Sequence, residues 1–105
     1  MSQPTYTIVT IANAGTVSSA YETKGATRGS FQLPAAFTGT NLAIHGSNDN
    51  STFTAVPVEG NEAATMTVAA SGCYVFHVKS FCFRYLRFVV DAQAAARTLT
   101  VCTRD

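Results

Sequence analysis

The sequence predicts one all-β domain, an antiparallel sandwich or barrel of eight or nine short strands. β-branched and aromatic residues alternate with polar ones over stretches of six or seven residues. Clusters of Gly, Asn, Asp, Ser and Pro interrupt these stretches at spacings of about ten residues. No segment sustains the periodicity of an amphipathic helix. A chain of 105 residues has room for one core, so the domain is expected to span residues 1–105.

Five strands are expected in the first half of the chain, over Thr5–Ile11, Val17–Thr23, Arg28–Leu33, Asn41–Ser47 and Thr52–Val58. Gly15 and Gly25 lie in the turns that end the first two strands. Pro34 ends the third, because proline has no N–H for the ladder of a central strand. Asn48–Ser51 is the clearest turn, since Asn and Asp tolerate positive φ and bond to their own backbone. This turn predicts a hairpin between the fourth and fifth strands.

Four more strands are expected in the second half, over Ala64–Ala69, Cys73–Val78, Arg84–Val90 and Arg97–Thr103. Lys79–Phe83 is predicted to be an irregular link, and Asp91–Ala95 a loop or a single helical turn. Alternation also assigns the faces of the strands. Seven side chains are expected in the core: Leu42, Ile44, Leu86, Phe88, Val90, Leu99 and Val101.

The strand Cys73–Val78 differs from the others because both of its faces are largely apolar. Tyr74, Phe76 and Val78 lie on one side, and Cys73, Val75 and His77 lie on the other. We therefore expect this strand to be buried on two sides, either against another subunit or beneath a long loop.

Charge is scarce in this sequence. Only 12% of the residues are charged, against about 25% in a typical soluble domain. Either partner proteins cover part of the surface or a neutral polar coat is tolerated, and we favour the first. The net charge of +1 provides no overall attraction to nucleic acid or membranes.

Residues 1–5 lack the basic and apolar regions of a secretory signal, and no run approaches the roughly 20 apolar residues of a membrane span. The cysteines number three, which fits a reducing compartment better than a disulfide scaffold. We expect the protein to be synthesised in a cytoplasm.

A metal site is suggested by the spacing of Cys73, His77 and Cys82, but strand geometry argues against it. Residues four apart in a strand are separated by about 13 Å, whereas zinc ligands lie about 2.0–2.3 Å from one ion. Asn48–Asp49–Asn50 resembles the start of a calcium loop, but the glycine and late glutamate of that motif are missing. A plain β-turn is the favoured interpretation, and neither metal nor cofactor is expected.

Catalysis is not expected either. His45 and His77 have no local nucleophile or carboxylate partner, and the G-x-S-x-G motif of serine hydrolases is absent. Glu59 and Glu62 lie in a loop without the apolar cover that would raise the pKa of a carboxyl. A basic track for nucleic acid is also disfavoured, because Arg84 and Arg87 are three apart in a strand and are expected on opposite faces.

The stretch Asn41–Val56 combines an apolar strand, Gly-Ser, an Asn-Asp turn and an aromatic residue on the return strand. Phe83–Phe88 follows about thirty residues later, Arg97–Val101 closes the pattern, and Phe31–Gly39 adds to it. In this order the motifs resemble small structural proteins of tailed bacteriophages, including β-sandwich head decoration (cement) proteins. They also resemble discoidin-like sugar- and lipid-binding modules. The short chain, the absence of tryptophan and the absence of a secretion signal favour the phage family.

The phage resemblance, which covers roughly residues 28–103, implies a jelly roll or related sandwich. It implies a protein on the capsid surface of the virion that bridges neighbouring subunits of the major capsid protein. It brings no catalytic residues. The low charge and the strand edges of an open sandwich also predict a homo-oligomer, either a dimer or a trimer. Besides the two termini, the residues expected to contact partners are Lys79, Phe81, Phe83, Arg84 and Arg87.

The alternative function is carbohydrate binding or adhesion by a β-sandwich on a phage tail or surface. Such a module would use loop aromatics such as Tyr21, Phe37 or Phe53, together with the turn Asn48–Ser51. The position of the exposed aromatics separates the two functions. A sugar site needs them clustered in a cleft, whereas a capsid contact needs a flat face.

Overall fold

The chain folds into two antiparallel sheets that pack face to face, as seen in a computed structural model. The structure describes residues 5–56, 65–76 and 78–104, and of Val78 and Lys79 it describes the backbone alone. Within these residues the strands are β1 (Thr5–Ile11), β2 (Tyr21–Glu22), β3 (Arg28–Gln32), β4 (Asn41–Ser47), β5 (Thr54–Val56), β6 (Thr65–Thr67), β7 (Cys73–Val75), β8 (Tyr85–Val90) and β9 (Arg97–Arg104). A 3₁₀ helix spans Val78–Cys82.

The strands alternate between the sheets. The four-stranded sheet has the order β1-β9-β3-β7, and the five-stranded sheet has the order β2-β8-β4-β5 with β6 also paired to β4. β5 and β6 share one edge of β4, β5 opposite Ile44–Gly46 and β6 opposite Asn41–Ala43. This is the strand order of a jelly roll. The predicted antiparallel β-sandwich of eight or nine strands, jelly-roll-like, is therefore confirmed.

Both sheets contribute to a single core. Phe31 of β3 lies 4.9 Å from Phe88 of β8, measured between ring centroids, and Phe76 lies 5.1 Å from Phe31. Burying each such ring contributes about 1.5–3 kcal/mol to stability. The side chains that alternation assigned to the core are all buried: Leu42, Ile44, Leu86, Phe88, Val90, Leu99 and Val101.

The second predicted strand is shorter than expected because this part of the chain crosses between the sheets. The N–H of Ser18 donates to the carbonyl oxygen of Phe88 in the five-stranded sheet, whereas the N–H of Ser19 donates to that of Thr10 in the four-stranded sheet. Only Tyr21–Glu22 continues as strand β2. Val17 forms an isolated bridge to Val89.

Of the two coverings expected for the outer face of Cys73–Val78, the long loop is wrong for the described residues Cys73–Val75, and burial against another subunit stays a prediction. β7 ends at Val75 and lies at the edge of the four-stranded sheet, where it pairs with β3. Tyr74 packs against the core, but Cys73 is exposed and Val75 is 58% exposed on the outer face. The chain then forms the 3₁₀ helix Val78–Cys82, where an irregular link was predicted.

The segment Asp91–Ala95 forms a loop without a helical turn, and it is held by side chains that bond to backbone. Gln93 is 2% exposed, and its amide oxygen accepts a hydrogen bond from the N–H of Thr38 at 2.9 Å. The amide nitrogen of Gln93 donates to the carbonyl oxygens of Thr38 and Asp91, at 2.8 and 2.7 Å. These bonds fix the entry to β4. Across the described residues, no helix is long and apolar enough to cross a membrane.

Candidate partner-binding surface

Arg84 lies just before β8, and its guanidinium reaches the outer face of the five-stranded sheet. Its Nε donates to Oε2 of Glu22 at 3.1 Å, and its guanidinium carbon lies 5.2 Å from the ring centroid of Tyr85. Glu22 and Tyr85 are register partners, adjacent to the buried pair Tyr21 and Leu86, so they point outward. The Arg84 side chain remains 62% exposed. The hydrogen bond to Glu22 further raises the pKa of Arg84, so Arg84 is a permanent cation at this surface.

Arg87 lies on the same outer face, two residues beyond Tyr85. Its guanidinium carbon is 3.9 Å from the ring centroid of Phe53, which is a cation–π contact. The Nε of Arg87 is buried and has no hydrogen-bond partner among the described residues. The Phe53 ring fixes the guanidinium against the sheet by stacking on its face.

The prediction that Arg84 and Arg87 lie on opposite faces is wrong. It assumed that Arg84 belongs to the strand, but β8 begins at Tyr85. Ahead of the strand the Arg84 side chain is free to fold over the outward ring of Tyr85. We call the resulting set the arginine surface: Glu22, Arg84, Tyr85, Arg87, Phe53 and His45.

His45 is the register partner of Arg87 on β4 and is half-buried. Burial lowers the pKa of His45 from its ordinary value of 6.5, and the positive charge of Arg87 lowers it further. Imidazole next to a fixed guanidinium is therefore held neutral near pH 7. The cationic character of the arginine surface comes from Arg84 and Arg87.

Phe81 and Phe83 were predicted to contact a partner, and both rings are largely engaged within the domain. Phe81 packs edge-on against Phe76 at a centroid distance of 5.5 Å. Phe83 covers Gly46, where any Cβ would collide with the ring. The side chain of Lys79 lies outside the described residues. Partner contact by these three residues stays a prediction, whereas the side chains of Arg84 and Arg87 both lie on the outer face of the five-stranded sheet.

The turn Asn48–Ser51 lies beside the arginine surface. Oδ1 of Asn48 accepts a hydrogen bond from the N–H of Arg84 at 3.1 Å. One carboxylate oxygen of Asp49 accepts from the hydroxyl of Ser47 and from the N–H groups of Ser51 and Thr52. These donors, led by Thr52, lower the pKa of Asp49 below its ordinary value. The segment Asn48–Ser51 bends the chain between β4 and β5, is closed by hydrogen bonds from the Asp49 side chain, and orders the segment that precedes β8.

The aromatics expected in a sugar site do not gather in a cleft. Tyr21 and Phe37 are buried in the core, at 6% and 7% exposure. Phe53 is half-buried and lies under Arg87. The rings of Tyr21, Phe37 and Phe53, which carbohydrate binding was expected to use, are therefore not open to stack on a sugar.

Cys73 and Cys82 are exposed, and His77, Glu59 and Glu62 lie outside the described residues. In the described ranges 5–56, 65–76 and 78–104, no group of three or more His, Cys, Asp or Glu side chains is placed to hold a metal ion.

The partners of the two arginines carry no signal in the sequence. Glu22 and Phe53 are distant from Arg84 and Arg87 along the chain, and only the pairing of β2 and β4 with β8 brings them close. The alternation of β8 did provide one signal, because it placed Tyr85 and Arg87 outward, as observed.

No family model and no curated protein matches this chain. Among solved structures, the fold is similar to the crystal structure of the SPBc2 prophage-derived protein YomS. The TM-score is 0.64 at 12% sequence identity, over 100% of this chain and 97% of the other. A second structure, described as Bacillus endospore appendages that form a family of disulfide-linked pili, has a TM-score of 0.46 at 20% identity over 99% and 88% of the two chains. The first likeness establishes that the fold is shared over the whole length.

Proposed function

We propose that this protein is a virion structural protein, a decoration (cement) protein that binds the outside of an icosahedral phage head. It would join neighbouring subunits of the major capsid protein across their seams. The observation that carries this proposal is the placement of Arg84 and Arg87 on the outer face of the five-stranded sheet, while the aromatic rings that a sugar cleft would need are buried or covered.

The outer face of a sheet suits contact with another folded protein. The rings that a sugar site would need are buried or covered, namely Tyr21, Phe37 and Phe53. By contrast, Arg84 is 62% exposed on the outer face of the five-stranded sheet, where its guanidinium lies near the ring of Tyr85. Arg and Tyr are enriched among the residues that dominate protein interfaces.

The two arginines are already positioned for binding. Arg84 is held by Glu22 and Tyr85, and Arg87 is held by Phe53. A side chain that is fixed before binding loses less rotamer entropy when the complex forms. Guanidinium groups bind carboxylates in a bidentate geometry, so the expected capsid contact is an acidic surface loop.

The likeness to a prophage-derived protein over the whole chain supports a phage origin for the domain. Jelly rolls occur in viral capsid proteins and in lectins alike. The choice between head decoration and sugar binding therefore rests on the surfaces of this chain.

The proposal is tested with heads of the phage that carries the gene, assembled without this protein. Purified protein should bind these heads saturably and raise the temperature at which they lose their DNA. The double variant Arg84→Ala/Arg87→Ala should bind at least about tenfold more weakly, which corresponds to about 1.4 kcal/mol.

The matched control is Arg28→Ala/Arg104→Ala, which removes the same charge from the other sheet and should leave head binding within about twofold. Thermal unfolding of each variant confirms that it is folded. Heads that are equally heat-stable with and without the protein would rule out the cement function. Equal binding by the double variant and the wild type would rule out the arginine surface as the capsid contact.

A further inference from the structure

The outer face of the four-stranded sheet exposes three of the four large apolar side chains that are exposed among the described residues. These are Tyr6 at 67%, Ile8 at 59% and Val75 at 58%. They lie on one face of the sheet. In β1, Tyr6 and Ile8 point away from the core because the buried Val9 points toward it. In β7, Val75 points outward because its neighbour Tyr74 packs against the core.

The register places these residues at the two edges of the face. One row across the strands runs from Tyr6 to Cys102, Ser30 and Val75. The centre of this row is small and uncharged, and each of its ends is apolar.

The next row repeats the pattern, running from Ile8 to Thr100, Gln32 and Cys73. Beyond it Thr10 pairs with Thr98. The face is therefore a neutral, hydroxyl-rich centre between two apolar margins.

Charge occurs at one end of this face. Arg28 and Arg104 are register partners in β3 and β9, and both are exposed. Within the described part of the chain, the outer face of these four strands carries no carboxylate. A partner can cover the rest of the face without desolvating any charge.

We propose that the outer face of the four-stranded sheet binds the same face of a second copy of this chain, forming a two-fold symmetric dimer. The symmetry axis runs across the strands, between the two rows. Tyr6 of one copy then lies over Ile8 of the other, and Val75 lies over Cys73. The apolar margins meet each other, as an isologous interface requires.

The same axis keeps the arginines apart. Arg28 and Arg104 of each copy lie toward the end of the partner marked by Thr10 and Thr98. An axis parallel to the strands would instead place Arg28 over Arg104 of the second copy, where like charges repel. The charge pattern thus favours an axis across the strands over an axis parallel to them.

The area of the face sets the strength of this dimer. Four strands at a spacing of about 4.8 Å, each at most eight residues long, provide at most about 500 Å² per copy. A standard interface buries about 800 Å² per partner. We therefore expect a weak, rapidly exchanging dimer with a dissociation constant on the order of 0.1 mM in free solution.

The test is sedimentation velocity on the isolated protein from about 10 μM to 1 mM, together with amide NMR spectra over the same range. The wild type should shift from monomer toward dimer, and the concentration-dependent amide shifts should lie in β1, β9, β3 and β7. The dimer should weaken little at low salt, since the arginine pairs are separated.

Ile8→Lys should weaken the dimer at least tenfold, because it buries a charge at the interface. The matched control is Thr65→Lys, which adds the same charge at an exposed position of β6 in the other sheet and should leave dimerisation unchanged. A wild type that stays monomeric at 1 mM would overturn the proposal, and so would a dimer that survives Ile8→Lys or whose shifts lie in the five-stranded sheet. Both experiments use the isolated protein without phage heads, so a failure of the dimer proposal can be distinguished from a failure of the proposed decoration function.

Discussion

The phenolic oxygen of Tyr21 lies 2.6 Å from Oγ1 of Thr103, and the hydrogen bond between them joins the two sheets. Tyr21 belongs to β2 in the five-stranded sheet and Thr103 to β9 in the four-stranded sheet. Both residues are buried. The core between the sheets is apolar, and apolar contacts have no preferred direction. This directional hydrogen bond therefore fixes how the two sheets lie on each other at the edge formed by β2.

Tyr21→Phe should lower the free energy of unfolding by about 1–2 kcal/mol, because the Thr103 hydroxyl is left buried without its partner. Urea unfolding followed by circular dichroism measures the change. Tyr6→Phe is the control: that phenol is exposed, and its removal should cost nothing measurable. Combining Tyr21→Phe with Thr103→Val should cost less than the sum of the single changes, and strict additivity would show that the two hydroxyls do not interact.

Gln93→Leu should lower the free energy of unfolding by at least about 2 kcal/mol. The change keeps the side chain's size but leaves the N–H and carbonyl of Thr38 without their amide partner. Gln32→Leu, at an exposed position of β3, is the control and should change stability by less than about 0.5 kcal/mol. Amide hydrogen exchange at Thr38 should accelerate in Gln93→Leu, and unchanged exchange there would contradict the assigned hydrogen bond.

Gly39→Ala should destabilise more than Gly25→Ala, although both glycines have positive φ, at +100° and +82°. A Cβ at Gly25 would meet open space, whereas one at Gly39 would collide with the carboxylate of Asp91. That carboxylate accepts hydrogen bonds from the N–H groups of Thr40 and Asn41. We expect about 1 kcal/mol for Gly25→Ala, from backbone strain alone, and at least twice that for Gly39→Ala. Equal losses in thermal unfolding would show that the Asp91 contact is unimportant.

Stability should fall as the pH drops below about 6.5, in part because of His45. Burial and the charge of Arg87 lower the pKa of His45 in the folded protein, so the unfolded chain binds the proton more readily. Above pH 6.5 the imidazole is neutral in both states and the effect vanishes. His45→Gln should flatten the dependence of unfolding free energy on pH between about 7 and 5.

His77→Gln is the control for the other histidine, and it should leave the His45 part of the pH dependence in place. Arg87→Gln should reduce that part, since it removes the second cause of the lowered pKa. If the wild type and His45→Gln lose stability in parallel on acidification, His45 is not the group that titrates.

Alternation predicted the strands that bury one face against the core. The limits of β1 and β4 agree with the predicted ones, and the inward residues of β8 and β9 are those expected. For such strands a shift by one residue would expose the whole apolar set, so the pattern is strongly constrained. The β4–β5 hairpin could also be predicted from the sequence, because the Asp49 side chain stabilises the bend between the two strands.

What alternation cannot show is which strand lies at an edge. Val75 and Cys73 made β7 look like a central strand, although they lie on an open face. It also cannot show that a side chain such as that of Arg84 bends around the end of its strand. Gln93, a polar residue in a loop, carried no signal of burial, because its partners Thr38 and Asp91 are specified only by the fold.

The pairing of β1 with β9 has a consequence for the order of folding. β9 is the last of the nine described strands to leave the ribosome, yet it occupies the middle of the four-stranded sheet, between β1 and β3. Until β9 arrives, β1 has no partner strand in its own sheet and bonds only to Ser18 and Ser19 at its end, and β3 can pair only with β7. The nascent chain thus carries unpaired strand edges throughout synthesis, and closure of the sandwich is a late, non-local event. A ribosome stalled before Arg97 should hold a chain that a protease degrades readily, and one stalled after β9 has cleared the exit tunnel should hold a resistant domain.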